Sequence, residues 1–380
     1  MNRRKWYERV TVRGYTQVRF NAIRDHAADD ELHDRYIAAY RGFGIRRSRI
    51  IFSGDVHRYL SVYLQPDFAS FPGPSGAPNI GEFRDAYADV YFNHAQTFRF
   101  RLGQSSVPYG WETLQSSQNR LALDRVDALD TAGRDGRDIG LFFYYVPAAI
   151  RARFAHLLAS GLGGSGDFGV VGVGVYNGQG ANRMARAGSQ HMAARVTYPF
   201  LMPNGQYIEI GASAYSGRFV TGRRRTLLLG SERMTPVDVF SAQRNNDQRL
   251  ALHFIYYPQP FGIQVEWTAG YGPQLESDSG LITRQRLHGG YVQLMYRFQS
   301  HTMAMVIPYV KWQRYRGASK FEANSPAMRV DEIEMGARWQ PCKSVEITTT
   351  YSRVQRTNAR TRPYSFINGH FLRLQLQASY

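Results

Sequence analysis

Arginine dominates the chemistry open to this chain. Of its 47 basic residues four are lysine (Lys5, Lys311, Lys320 and Lys343), which leaves 43 arginines. A guanidinium keeps its charge at every relevant pH, and its planar fork matches the oxygens of phosphate and carboxylate groups. Set against 30 acidic residues, this gives a formal net charge of +17, which implies an anionic partner. Arg46, Arg47 and Arg49 stand almost together. Arg120, Arg125 and Arg134 fall in one long polar connection, 105–136, and Arg218 with Arg223, Arg224 and Arg225 in another, 218–247. Arg13, Arg19, Arg99 and Arg101 alternate with apolar residues. Ser116 and Ser117 offer hydroxyls to an anion, or are ordinary loop serines. Asp85 and Asp89 share one face of a segment. There a carboxylate either weakens anion binding enough for the ion to leave or serves as a structural partner for a neighbouring arginine.

No catalytic constellation competes with this reading. The chain has no G-x-S-x-G, H-E-x-x-H or C-x-x-C motif and no phosphate-cradling glycine loop. No cofactor and no metal site is expected. His191 and His253 lie on separate segments and read as wall or packing residues. The single cysteine, Cys342, allows no internal disulfide.

The elements that must position these arginines are strands. Hydrophobic residues make up 43% of the chain and the mean hydropathy is −0.42. No stretch reaches the roughly 18 apolar residues of a transmembrane helix. The period is two almost throughout. Leu372, Leu374, Leu376, Ala378 and Tyr380 oppose Arg373, Gln375, Gln377 and Ser379, and Phe98, Phe100 and Leu102 oppose Arg99 and Arg101. The pattern predicts strands over 9–21, 43–54, 58–67, 83–93, 97–104, 137–146, 168–177, 190–200, 206–217, 248–257, 262–271, 286–298, 302–315, 328–340, 344–355 and 369–380. Short and long connections alternate between them, with 147–167 a long exception on the short side. Charged residues on one face, uncharged apolar residues on the other and this alternation of loops fit a lipid exterior and a wet lumen. The expected fold is all-β, a 16-stranded antiparallel transmembrane β-barrel, with 1–380 as one domain in a bacterial outer membrane. Aromatic content of 14% suits two interfacial girdles, and a chain ending within a strand on Tyr380 suits the same class. No leader is visible after Met1, so the chain reads as a mature form carrying an added Met or as a cytoplasmic protein.

Several stretches resemble the phosphate- and polyphosphate-selective porins. They are Phe43-Gly44-Ile45-Arg46-Arg47-Ser48-Arg49 continuing to Gly54, Tyr63-Leu64-Gln65, Phe83-Arg84-Asp85-Ala86-Tyr87-Ala88-Asp89, Phe100-Arg101-Leu102-Gly103-Gln104, Pro108-Tyr109-Gly110-Trp111-Glu112, Ser116-Ser117 and Gly133–Gly140. The resemblance covers roughly 43–140 by motif and the remainder by strand order. It implies a homotrimer, a third loop folded into the lumen, and a basic path through the pore. It also implies that the pair Arg46 and Arg47 lines the constriction. Strand parity puts both on one face only with a bulge or an exposed edge. If loop 105–136 folds inward, Arg120, Arg125 and Arg134 come beside Arg13, Arg19, Arg99 and Arg101. By position, Arg218 and Arg223–Arg225 correspond to the family's extracellular arginine ladder; a solvated loop binding lipopolysaccharide phosphates is the other reading. The chain lacks the family's lysine clusters, which favours anion preference over strict phosphate selectivity.

The leading expectation is a passive outer-membrane porin for phosphate, polyphosphate or similar small anions, with outer-membrane lipid and lipopolysaccharide around it. A soluble basic β-protein that binds nucleic acid is the alternative, but arginine recurring along strand after strand, rather than on one face or in a tail, argues against a nucleic-acid partner. A barrel enzyme or an adhesin is the third.

Overall fold

The computed structural model describes residues 5–25, 42–69, 81–186, 188–221, 226–229, 235–238, 244–276, 279–300, 304–322, 324–358 and 365–380. Sixteen long antiparallel strands form one sheet. They are β1 (Thr11–Asp25), β2 (Gly42–His57), β3 (Leu60–Asp67), β4 (Glu82–Tyr91), β5 (Phe98–Ser106), β6 (Arg137–Tyr145), β7 (Val171–Tyr176) and β8 (His191–Leu201). The second half comprises β9 (Tyr207–Val220), β10 (Arg244–Tyr256), β11 (Phe261–Leu275), β12 (Ile282–Tyr296), β13 (Ala304–Ala318), β14 (Ala327–Cys342), β15 (Val345–Asn358) and β16 (Ser365–Ser379). Each strand pairs with its sequence neighbour, and β1 pairs with β16 in the register Tyr15↔Ser379 to Asp25↔Gly369. The sheet is therefore closed, which satisfies backbone groups that lipid cannot. Phe298–Ser300 prolongs β12, and a separate hairpin, Thr226–Leu229 with Thr235–Asp238, lies between β9 and β10.

Alternation decides which side chains face where. Leu372, Leu374 and Leu376 are 44–49% exposed on the outside, while Arg373 between them is 3% exposed on the inside. Tyr198, Phe200, Phe261, Tyr296, Phe298 and Trp339 are exposed beside the short connections, as an interfacial girdle requires. All sixteen expected strands are present, with ends displaced by a few residues.

Among the described residues, two connections enter the barrel. The third long loop, between β5 and β6, packs Val107, Tyr109, Val126, Leu129 and Ala132 against inward-facing Tyr144, Tyr176, Tyr215, Leu287, Tyr291 and Tyr315. Full burial of Val126 and Leu129 is worth roughly 1.5–3 kcal/mol each relative to exposure. Its polar groups are also anchored. The backbone N–H groups of Trp111 and Glu112 donate to the Glu266 carboxylate (2.6 and 2.9 Å), and Gly110 N–H donates to Ser213 Oγ (2.9 Å). A short helix, α1 (Asp127–Asp130), is held by Arg249, which donates to Ala128 O and to Thr131.

The second entrant is the 147–167 segment, which period-two patterning left without an account. It holds a helix, α2 (Ala148–Ala159). Pro147 precedes a run of strong helix formers, and Gly161 follows at φ +69°, the left-handed conformation that ends helices. Ile150, Phe154 and Leu157, spaced four and three apart, bury one face of α2 against Trp111, Tyr207, Ile255 and Tyr257. The helix therefore props the third loop from the short-turn side. Among the described residues no helix is long and apolar enough to cross a membrane.

Candidate functional site

The arginines of β1, β2 and β16 converge where the third loop comes nearest the wall. Their focus is Asp124. Its carboxylate lies 2.7 Å from Arg19 Nη1, 3.0 Å from Arg373 Nη1, 3.6 Å from Arg46 Nη2 and 3.8 Å from Arg47 Nη2. Arg19 and Arg373 reach it from adjacent strands because barrel closure sets Asn21 opposite Arg373 and Arg19 opposite Gln375.

Arg46 and Arg47 share the lumen through a β-bulge. Gln17 of β1 pairs with Arg47 and the next residue, Val18, pairs with Ile45, so Arg46 is the extra residue. A bulge sets two residues of one strand against one of its partner. Ile45 accordingly faces out while Arg46 and Arg47, 8% and 4% exposed, both face in.

A polar lattice fixes the ring. Arg47 donates to Gln17 Oε1 (2.7 Å), and Arg19 donates through Nε and Nη2 to Gln375 Oε1 (3.1 and 2.9 Å). Arg49 donates to the Tyr15 hydroxyl (2.8 Å) and to Ser117 Oγ (3.1 Å) while pairing with Asp67 (2.7 Å). Ser117 is thus drawn to the edge of the ring. Ser116 shares its turn, its carbonyl accepting from Asn119 and Arg120 N–H. Arg120 is buried nearby, and its Nε finds no hydrogen-bond partner among the described residues.

Other expected site residues lie elsewhere. Arg101 is bidentate to Asp89 (both 2.8 Å) and lies 3.7 Å over the Tyr87 ring. Arg99 pairs with Asp167, which follows α2 (2.8 Å). Arg99 thus braces the wall against the segment after α2, while Arg101 is compensated within the wall. Arg125 donates inside the third loop, to Thr113 O (3.1 Å) and Asp135 O (3.2 Å). Arg134 sits in a 3-10 turn beside Gly180, where an added Cβ would meet Arg134 Cβ at 2.6 Å. Arg13 is exposed on the inner-facing parity of β1 near its first residue. Arg218 belongs to β9 rather than to a loop, and it shares the outward parity of Ile210. Arg223, Arg224 and Arg225 lie outside the described residues. Asp85 pairs with Arg137 (2.9 Å).

Asp124 and Arg373 had not been singled out from the sequence. Arg373 carried a usable signal: in a closed barrel the last strand lies beside the first, so its inward residues join those of β1. Among the described residues, chambers open on the short-turn side. One, of about 790 Å³, is lined by Gln118, Ser160, Arg297, Arg338 and Gln377. The other, of about 760 Å³, is lined by Arg9, Asp55, Tyr63, Tyr87 and Asp89.

The fold has solved counterparts. The chain is similar to the outer-membrane channel DcaP of Acinetobacter baumannii (12% identity, TM-score 0.57, covering 98% of this chain and 97% of that one). It is similar to an anion-selective porin from Comamonas acidovorans (11% identity, TM-score 0.57, 98% and 99% covered) and to the trimer form of OmpT from Vibrio cholerae (10%, 0.54, 98% and 99%). A search of curated protein sequences found no match. The model of the family phosphate-selective porin O and P matches residues 20–380. Barrel, arginine-lined interior and family match together make this an outer-membrane porin, and the chain belongs to the phosphate-selective porin O and P family.

Proposed function

We propose that Arg19, Arg46, Arg47 and Arg373, with Arg49 and Arg120 beside them, form the anion-selecting constriction of a passive channel for phosphate, polyphosphate or similar small anions. The carrying observation is the bulge that turns Arg46 and Arg47 together into the lumen, onto the carboxylate that Arg19 and Arg373 also hold. Guanidiniums converging in a narrow path raise the local anion concentration and exclude cations. The Ser117 hydroxyl adds an uncharged donor at the rim. Strands β3 to β7 include the shortest of the barrel, and their exposed Val171, Val173 and Val175 give a flat apolar strip suited to a homotrimer, the state named for the OmpT relative. The protein acts as a channel and not as an enzyme, with lipopolysaccharide phosphates as neighbours of its outer arginines.

Replacing Arg46 and Arg47 together by Ala tests this. Reversal potential in a salt gradient should move toward cations, and phosphate block of chloride current should weaken. An unchanged reversal potential would remove these arginines from selectivity.

A further inference from the structure

Asp124 occupies the place that a passing anion would take. Four guanidiniums converge on its two oxygens, and a carboxylate presents to a guanidinium the same paired acceptors as a phosphate. The side chains of Arg46, Arg47 and Asp124 are 10%, 5% and 8% exposed. With these side chains nearly enclosed, an anion that enters the ring meets the guanidiniums that Asp124 already engages. Its entry is then an exchange with the carboxylate.

The loop is built for a local exchange. On one side of Asp124, Leu121 and Ala122 pack against Met295, Ile307 and Tyr309. On the other, Val126 and Leu129 belong to the main cluster. Between these anchors, over 121–124, no backbone–backbone hydrogen bond is made among the described residues; Leu123 O accepts a long hydrogen bond from Arg19 (3.4 Å). The carboxylate thus sits on a short arm between two fixed points. It differs from Asp85, Asp89 and Asp67, which are carried on strands and held by wall arginines.

Resting on the anion-channel reading above, we infer that Asp124 is a tethered counter-ion, a displaceable occupant of the anion site that sets which anions pass. A tethered group competes at an effective concentration in about the mM range. A monovalent ion with one point of contact displaces it poorly. An oxyanion bearing several acceptors and more than one charge displaces it better and is released when the carboxylate returns. The competitor weakens binding, and conduction needs binding weak enough to release the ion.

The test compares wild type, Asp124→Asn, Asp124→Glu and the Arg46→Ala/Arg47→Ala double variant as single channels in KCl, with inorganic phosphate and pyrophosphate as blockers. Asp124→Asn should tighten phosphate block by roughly tenfold or more, as expected on removing a competitor at mM effective concentration, and should make chloride current saturate at lower salt. Asp124→Glu should keep the wild-type preference for pyrophosphate over chloride. If Asp124→Asn matches wild type while the double arginine variant loses block, the ring binds anions but Asp124 is only a brace, and the inference falls alone. If neither changes block, the constriction reading falls with it. Should Asp124→Asn fail to assemble a barrel, the wild-type chloride curve decides. Current that rises without saturating through the mM range, together with pyrophosphate block stronger than phosphate block, supports the tethered competitor. Saturation below that range overturns it.

Discussion

Arg46 and Arg47 are adjacent in sequence, yet both enter the lumen, because Arg46 is the unpaired residue of a bulge between the pairs Gln17↔Arg47 and Val18↔Ile45. The bulge converts a parity rule that would separate the two guanidiniums into a site where they act on one carboxylate. The same device shields the lipid face, since Ile45 stays outward. Deleting Arg46 should therefore restore a regular ladder, keep Arg47 inward and give a barrel with the wild-type gel shift but weaker anion preference. Deleting Ile45 should bring Arg46 opposite Val18 and push it outward, at a cost of about 2–4 kcal/mol near the bilayer midplane and less near its edge. Equal thermal midpoints for the two deletions, measured in detergent by heat modification, would show that the bulge does not govern facing.

Arg101 contrasts with that pair. It is bidentate to Asp89 and stacked on Tyr87, so its charge is already compensated within the wall. Removing one partner of a buried pair costs about 3–5 kcal/mol, since the other charge is stranded. Arg101→Ala should lower the thermal midpoint of the folded barrel clearly while moving the reversal potential much less than the Arg46/Arg47 double substitution. A reversal shift as large as that of the double variant would place Arg101 in the selective path.

Facing was legible from sequence, because alternation alone separates Leu372 from Arg373 and Phe100 from Arg101. Partners were not. Arg99 and Arg101 sit on the expected face, but Arg99 meets Asp167, delivered by the segment after α2, and Arg101 meets Asp89 of the neighbouring strand. That helix was itself hidden: Ile150, Phe154 and Leu157 carry a helical spacing, but over too short a stretch to stand out in a period-two sequence. Asp124 was equally silent, an acidic residue in a polar loop. Its role comes from β1, β2 and β16 meeting through closure, which joins the two ends of the chain. Local pattern specifies which way a side chain points; the ring exists only through contacts distant in sequence.

The last prediction concerns acid. Asp124 lies on the inward loop and not on a spanning strand. Burial by itself would raise its pKa, but Arg19, Arg46, Arg373 and Arg47 outweigh burial and hold the carboxyl well below the usual carboxylate range, which centres near about 3.9. A depressed value fixes the sign of the linkage. The charged carboxylate contributes its stabilisation at every pH above the unfolded value, and that contribution is lost only as pH falls through the lower folded value. Conductance and anion preference of the wild-type channel should therefore stay level from pH 8 down to about 5, where an ordinary carboxylate would already begin to titrate. Only in stronger acid should the channel approach the behaviour of Asp124→Asn. A sigmoidal change in phosphate block centred between about pH 4 and 6, present in wild type and absent in Asp124→Asn, would mean that the four arginines hold the carboxylate far less tightly than their distances imply.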